Sequence, residues 1–111
     1  METIKCNVNT IDLINARTAS QKLQAAPEKF RVRAVAVMED ADKSSGEVRP
    51  VGYLFAETGE VYGTVSSTAI ETILAVAKAV DAGEIQLPLT FKVAIRTSAA
   101  GRNFITLAVE E

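Results

Sequence analysis

Apolar and polar residues alternate with a period of two in five segments of this chain, a spacing typical of β-strands. These segments span residues 30–38, 48–56, 60–65, 89–96 and 103–109. Between the third and fourth segments the period becomes helical, with apolar residues at Ala69, Ile70, Ile73, Leu74, Ala77 and Val80. Ser66 to Thr68 supply helix caps and Gly83 ends the segment, so the pattern predicts a helix between them.

A further helix is predicted ahead of the first strand, over residues 10–24. Asn9 or Thr10 provides an N-cap, and Asp12 is favourable in the first turn. Pro27 ends this helix, because the residue before a proline avoids the helical region. The apolar residues at helical spacing, which we expect to form an apolar face, are Ile11, Leu13, Ile14, Ala16, Ala19 and Leu23.

The predicted order is an N-terminal helix followed by β-β-β-α-β-β. Five strands with a helix between the third and fourth are the plan of the OB-fold, a small Greek-key barrel in which this helix plugs one end. An unrelated five-stranded α+β sheet or sandwich with the same order is the alternative. We predict a single domain, with residues 1–28 as a helical segment and residues 29–111 as the OB-like barrel.

The composition excludes several kinds of chemistry. The 111 residues include no His and one Cys, so His-dependent catalysis, His-containing zinc sites and internal disulfides are ruled out. The acidic cluster of Glu39, Asp40 and Asp42 lacks the spacing of a calcium loop and is interpreted as a solvated turn. We therefore expect a non-catalytic protein without metal or other cofactor.

No apolar run approaches the roughly 18 residues that a membrane-spanning helix needs. The N-terminus also lacks the basic start and apolar run of a signal peptide. We expect a cytoplasmic protein without a membrane partner. Its net charge of −2 gives no bulk basicity, so any affinity for nucleic acid must come from a local cluster of positive charge.

Alternation along the strands locates the candidate basic residues. If Leu89, Phe91 and the following apolar residues of the fourth strand point inward, Lys92 and Arg96 point outward. Arg31 and Arg33 share a face of the first strand, and Arg102 lies in the last hairpin. These five residues are candidates for contacts with phosphates, although basic residues on outward strand faces also serve as protection against edge-to-edge aggregation.

Three aromatic residues are candidates for stacking on bases. Phe104 and Tyr62 are expected to point outward, because their strand neighbours are apolar and are expected to point inward. Tyr53 is the third candidate, and its pattern leaves open which face of the second strand it occupies. Single-stranded nucleic acid needs both a cationic track and flat side chains.

Two stretches carry a resemblance to a known family. Residues 52–68 read GYLFAETGEVYGTVSST, and residues 97–106 read TSAAGRNFIT. Together they resemble small phage- and prophage-encoded single-stranded DNA-binding proteins, over residues 30–109. The resemblance implies an OB-like fold, sequence-independent binding of single strands and a role in phage DNA replication or recombination, with replication proteins as partners, in a bacterial or phage-infected cell. It points to Tyr62, Arg102 and Phe104.

The sequence therefore favours a single-stranded DNA-binding protein. The alternative is a protein-interaction or assembly module that dimerises through a strand edge or the N-terminal helix. The pattern leaves open the oligomeric state and the preference for DNA or RNA.

Overall fold

The computed structural model describes residues 4–41 and 45–110. This part of the chain is mainly β, with two α-helices, which confirms the coarse fold class predicted above. The elements are β1 (Ile4–Cys6), α1 (Thr10–Ala19), β2 (Gln21–Lys22), β3 (Lys29–Ala41), β4 (Val48–Ala56), β5 (Val61–Thr64), α2 (Ser67–Asp81), β6 (Leu89–Thr97) and β7 (Asn103–Glu110), with a 3-10 turn at Leu23–Ala25. The five predicted strands correspond to β3–β7, and the two short strands β1 and β2 were not predicted.

The strands form one curled sheet in the order β2-β5-β4-β3-β6-β7, with β1 also paired to β3. The long strand β3 makes the curl, because its first residues pair with β6 and the residues from Val32 onward pair with β4. The curl brings β7 close to the start of α2, where the Ser66 hydroxyl donates to the Ile105 carbonyl at 3.1 Å. Ser66 also accepts from the Ala69 amide as the N-cap of α2.

The main core lies between α2 and one face of the sheet. Ile73 of α2 is fully buried there, with Phe91 and Leu54 from the strands. Gly52 lets the helix approach closely, since a Cβ at this position would lie 2.7 Å from Cδ1 of Ile73. The helical pattern of residues 66–83 is confirmed, because its apolar face is the one that packs on the sheet.

The opposite face of the sheet is covered by α1. Ala16 of α1 is fully buried in a second apolar cluster, whose other members are Ala34, Ala36, Met38, Tyr53, Phe55 and Val61. The central strands are thus buried on both faces. Alternation along such strands no longer separates a core side from a solvent side.

The first helix differs from the prediction in length and in orientation. It ends at Ala19 rather than at residue 24, because Gln21 and Lys22 pair with β5 and Leu23 reaches the core beneath α2. Its buried residues are Asp12 and Ala16, whereas Ile11 and Ile14 are 67% and 55% exposed. The expected apolar face therefore points largely to solvent.

Candidate nucleic-acid interface

A cleft of about 610 Å³ opens between β5, the start of α2 and the start of β7. Tyr53 and Gly63 line its inner part, and Phe104 and Lys22 lie at its sides. The remaining lining is a mixture of hydroxyl, amide and apolar groups, from Ser20, Gln21, Gln24, Val51, Thr64, Val65, Ser66, Ser67, Thr68, Asn103 and Ile105.

Gly63 sets the position of the Tyr53 ring. The two residues are directly opposite each other on β5 and β4, and a Cβ on Gly63 would lie 3.1 Å from Cε1 of Tyr53. The absence of that atom lets the ring lie against β5, and Tyr53 is only 4% exposed. Burial raises the pKa of the Tyr53 hydroxyl, with Asp40 adding to the rise and Arg17 opposing it. Tyr53 therefore lies at the base of the cleft rather than on an open surface.

Phe104 lies opposite an arginine on the β6–β7 hairpin. It is directly opposite Arg96, a pairing that brings Cβ atoms within about 4.5–5.5 Å of each other. Arg102 precedes the strand in a tight turn, in which the Ser98 amide donates to the Arg102 carbonyl at 2.8 Å and Gly101 takes a positive φ of 80°. Phe104 is half-buried, and Arg96 and Arg102 are exposed, as the sequence predicted.

Several cations near the cleft have no acidic partner. Within residues 4–41 and 45–110, no carboxylate lies within salt-bridge distance of Lys22, Arg96 or Arg102. Arg17 is also without an ion pair in that part of the chain, and it is close enough to Tyr53 to affect the pKa of its hydroxyl. Positive charge without an acidic partner among the described residues thus lies at Lys22 in the cleft and at Arg96 and Arg102 on the adjoining hairpin.

The other predicted basic residues do not join this group. Arg31 binds Glu57 at 3.2 Å and donates to the Thr90 hydroxyl at 3.3 Å. Lys92 is 3.4 Å from Glu110, and that carboxylate is shared with Lys29. Of the five basic candidates, Arg31, Arg33 and Lys92 thus have acidic partners distant in sequence, and Arg96 and Arg102 have none among the described residues.

Arg33 is directed to α1 by an irregularity in β3. The pairing with β4 shifts between Val32 and Ala34, which leaves Arg33 as the extra residue of a β-bulge and separates it from Arg31. Its guanidinium donates to both carboxylate oxygens of Asp12, at 2.8 and 3.2 Å. These bonds, together with the Asn9 amide, hold the pKa of Asp12 below its ordinary value against the effect of burial.

The Asp12–Arg33 pair predicts a pH dependence of stability. Because the pKa of Asp12 is lowered on folding, its contribution is fully present above the unfolded pKa of about 4 and is lost as the pH falls through the folded pKa. We expect D12N to lower the free energy of unfolding by about 1 kcal/mol at pH 7, since solvent reaches part of the pair. Denaturant titrations from pH 7 to pH 2 should show this difference shrinking below pH 4. A difference that stays constant down to pH 2 would contradict this assignment.

Tyr62 does not point outward, which corrects the prediction from alternation. It is 3% exposed, its ring centroid lies 5.1 Å from that of Phe30, and its hydroxyl donates to Glu60. That hydrogen bond is the main reason why the pKa of Tyr62 rises to about 12. Tyr62 occupies the main core because Val61 packs under α1 on the other face of the sheet.

Alternation also predicts that Ile95 points inward with the other apolar residues of β6. Ile95 is instead exposed, since β6 extends beyond the core at that end.

Lys22 and Gly63 line the cleft but were not predicted as site residues. Lys22 was assigned to a helix, and only the pairing of β2 with β5 places it at the cleft. Gly63 could be recognised as a site residue only by knowing that it pairs with Tyr53, which its local sequence does not show.

The described residues contain no group of three or more Cys, Asp or Glu side chains able to hold a metal ion. No helix among them has the length and apolar character needed to cross a membrane.

Comparisons of this chain with protein-family models, with curated proteins and with solved structures gave no match.

Proposed function

We propose that this protein is a non-catalytic, sequence-independent single-stranded DNA-binding protein. The DNA-binding surface, called the cleft surface below, comprises Lys22, Tyr53, Gly63, Arg96, Arg102 and Phe104. The observation that supports it best is the group on the β6–β7 hairpin, where half-buried Phe104 lies directly opposite Arg96 and two residues after Arg102, and neither arginine has an acidic partner among the described residues.

This arrangement suits a single strand better than a duplex. Arg96 and Arg102 can contact successive phosphates while Phe104 stacks on a base between them. A duplex keeps its bases paired, so the ring and the cleft have nothing to stack on. Phosphate contacts and stacking are available to every nucleotide, which favours binding without sequence preference.

The position of the cleft supports the OB-fold as the finer description of the sheet. In that fold the face of the second and third strands and the loop between the fourth and fifth bind oligonucleotides. The corresponding elements here are β4, β5 and the β6–β7 hairpin, and all three contribute to the cleft. The resemblance to phage and prophage proteins points to Arg102 and Phe104 in the same place, and we extend the proposal to a role in phage DNA replication or recombination.

Binding to strands of different type tests this proposal. Fluorescence anisotropy of labelled oligo-dT, oligo-rU and duplex DNA of equal length is measured at ~50 and ~200 mM salt. We expect binding of oligo-dT that weakens steeply with salt, and weaker binding of the duplex. An unchanged anisotropy of oligo-dT at ~50 mM salt, or tighter binding of the duplex, would overturn the proposal.

A second candidate function is assembly through the N-terminal helix, which the exposure of Ile11 and Ile14 favours. This hypothesis predicts a dimer in solution that dissociates when both isoleucines are replaced by serine. Sedimentation equilibrium of wild type and I11S/I14S checks it, and equal masses for the two proteins would contradict it.

A further inference from the structure

The face of the sheet beneath α1 combines a cation with aromatic rings. Phe55 is fully buried there, and the Arg33 guanidinium carbon lies 5.8 Å from the centroid of its ring. Tyr53 lies on the same strand and the same side. We call these three residues the covered face. A guanidinium beside aromatic rings is the combination that binds the phosphate and the base of a nucleotide.

The covered face is continuous with the cleft. Tyr53 belongs to both, because its ring lines the inner part of the cleft and packs in the cluster beneath α1. A strand that enters the cleft and passes over Tyr53 therefore meets Phe55 and Arg33 next. The path is covered by α1 and by Val8, which precedes the helix and packs on the same cluster.

Asp12 of α1 occupies the place of a phosphate. Its two oxygens accept from the two terminal nitrogens of Arg33, at 2.8 and 3.2 Å. Arginine binds phosphate through the same pair of parallel hydrogen bonds. The polar contact that holds α1 on the sheet, beside the packing of Leu13 and Ala16, is thus one that a DNA phosphate can replace.

The remaining attachment of α1 is small. Of its ten residues, Asp12 and Ala16 are buried, Ala16 offers only a methyl group, and the larger Leu13 packs on the cluster while remaining only partly buried. Two of the large apolar side chains of α1, Ile11 and Ile14, are exposed to solvent and do not contribute to this attachment. A helix that buries little apolar surface opens at a lower free energy than the core of the domain.

We propose that the covered face is a second subsite for single-stranded DNA and that α1 closes it by placing Asp12 on Arg33. DNA displaces α1, a phosphate replaces the carboxylate, and a base reaches Phe55. This inference rests on the proposed function, because the strand must first bind the cleft surface.

The test compares D12N with E84Q in oligo-dT binding. Both variants remove one negative charge, and Glu84 is exposed beyond the C-terminal end of α2, whose opposite end lines the cleft. We expect D12N to bind about fivefold more tightly than E84Q at ~0.1 M salt, with a salt slope steeper by about 0.7, the contribution of one phosphate contact. Adding R33A to D12N should abolish the gain. Equal affinities for D12N and E84Q would overturn the second subsite.

Hydrogen exchange on the wild-type protein gives an independent test that needs no variant. Saturating oligo-dT should reduce the protection of the α1 amides while increasing protection near the β6–β7 hairpin. If oligo-dT binds and α1 stays protected, the second subsite is wrong and the proposed function stands. If neither wild type nor D12N binds oligo-dT, both proposals fall.

Discussion

The double variant R96A/R102A is expected to bind oligo-dT about 25-fold more weakly than wild type at ~0.1 M salt, because it loses two phosphate contacts. The same loss should reduce the slope of log affinity against log salt by about 1.4, at roughly 0.7 per contact for a single strand. Both guanidiniums are exposed and lack an acidic partner among the described residues, so their removal leaves no carboxylate unpaired. Anisotropy titrations at several salt concentrations give both quantities.

The matched control is K5A/K78A, which removes the same amount of charge from a different place. Lys5 and Lys78 lie together at a pocket between β1 and α2. If binding depends only on net charge, the two double variants will lose affinity equally. We expect the control to stay within about twofold of wild type. An equal loss in both variants would contradict the position assigned to the DNA.

The second large effect is expected for Phe104→Ala. A base stacked on an aromatic ring contributes roughly 1–3 kcal/mol, which corresponds to a loss of about 5- to 150-fold for oligo-dT. An abasic oligonucleotide of the same length offers phosphates without bases, so its affinity should not change in this variant. The difference between the two ligands therefore isolates stacking from electrostatic attraction.

The control for this truncation is Ile95→Ala. Ile95 is an exposed apolar side chain of the same hairpin, 60% exposed and next to Arg96 in sequence. Neighbouring residues of a strand point to opposite faces, so Ile95 points away from the side that carries Arg96 and Phe104. We expect I95A to bind both ligands as wild type does. A loss of abasic binding in F104A would show that the ring supports the hairpin rather than a base.

The elements of the fold were largely predictable from local pattern. The spacing of Ile70 and Ile73, and the caps at Ser66 and Gly83, are local signals, and they located α2 because its apolar face packs on the sheet. The strand β7 was predicted in the same way, because Ile105 and Leu107 point to the core and Phe104 does not. Local pattern therefore predicts the position and orientation of an element correctly when one side of that element is buried and the other faces solvent.

The errors come from contacts between distant parts of the chain. Tyr62 was assigned to the wrong face because α1 covers the second face of the sheet, and alternation cannot show that a strand is buried on both sides. The sequence pattern predicts Arg31 and Arg33 as phosphate contacts, but Arg31 binds Glu57, 26 residues later, and Arg33 binds Asp12, 21 residues earlier. Sequence spacing carries no information about such partners.

The candidate site was predictable in part for the same reason. Arg96, Arg102 and Phe104 lie on one hairpin, so local alternation and turn signals were enough to bring them together. Lys22 enters the site only through the parallel pairing of β2 with β5, which places it opposite Gly63. That pairing joins segments about forty residues apart along the chain, and nothing in their local sequence indicates it.

Photo-crosslinking tests the central claim most directly, because it reports both whether DNA binds and where. Oligo-dT carrying 5-iododeoxyuridine is irradiated with the wild-type protein, and the tryptic peptides are identified by mass spectrometry. Cleavage after Arg102 releases residues 103–111 as one peptide, which contains Phe104. Our account predicts that this peptide carries the nucleotide adduct and that the adduct decreases with rising salt. An adduct found only on peptides remote from the cleft surface, or no adduct above the background of a non-binding protein, would contradict it.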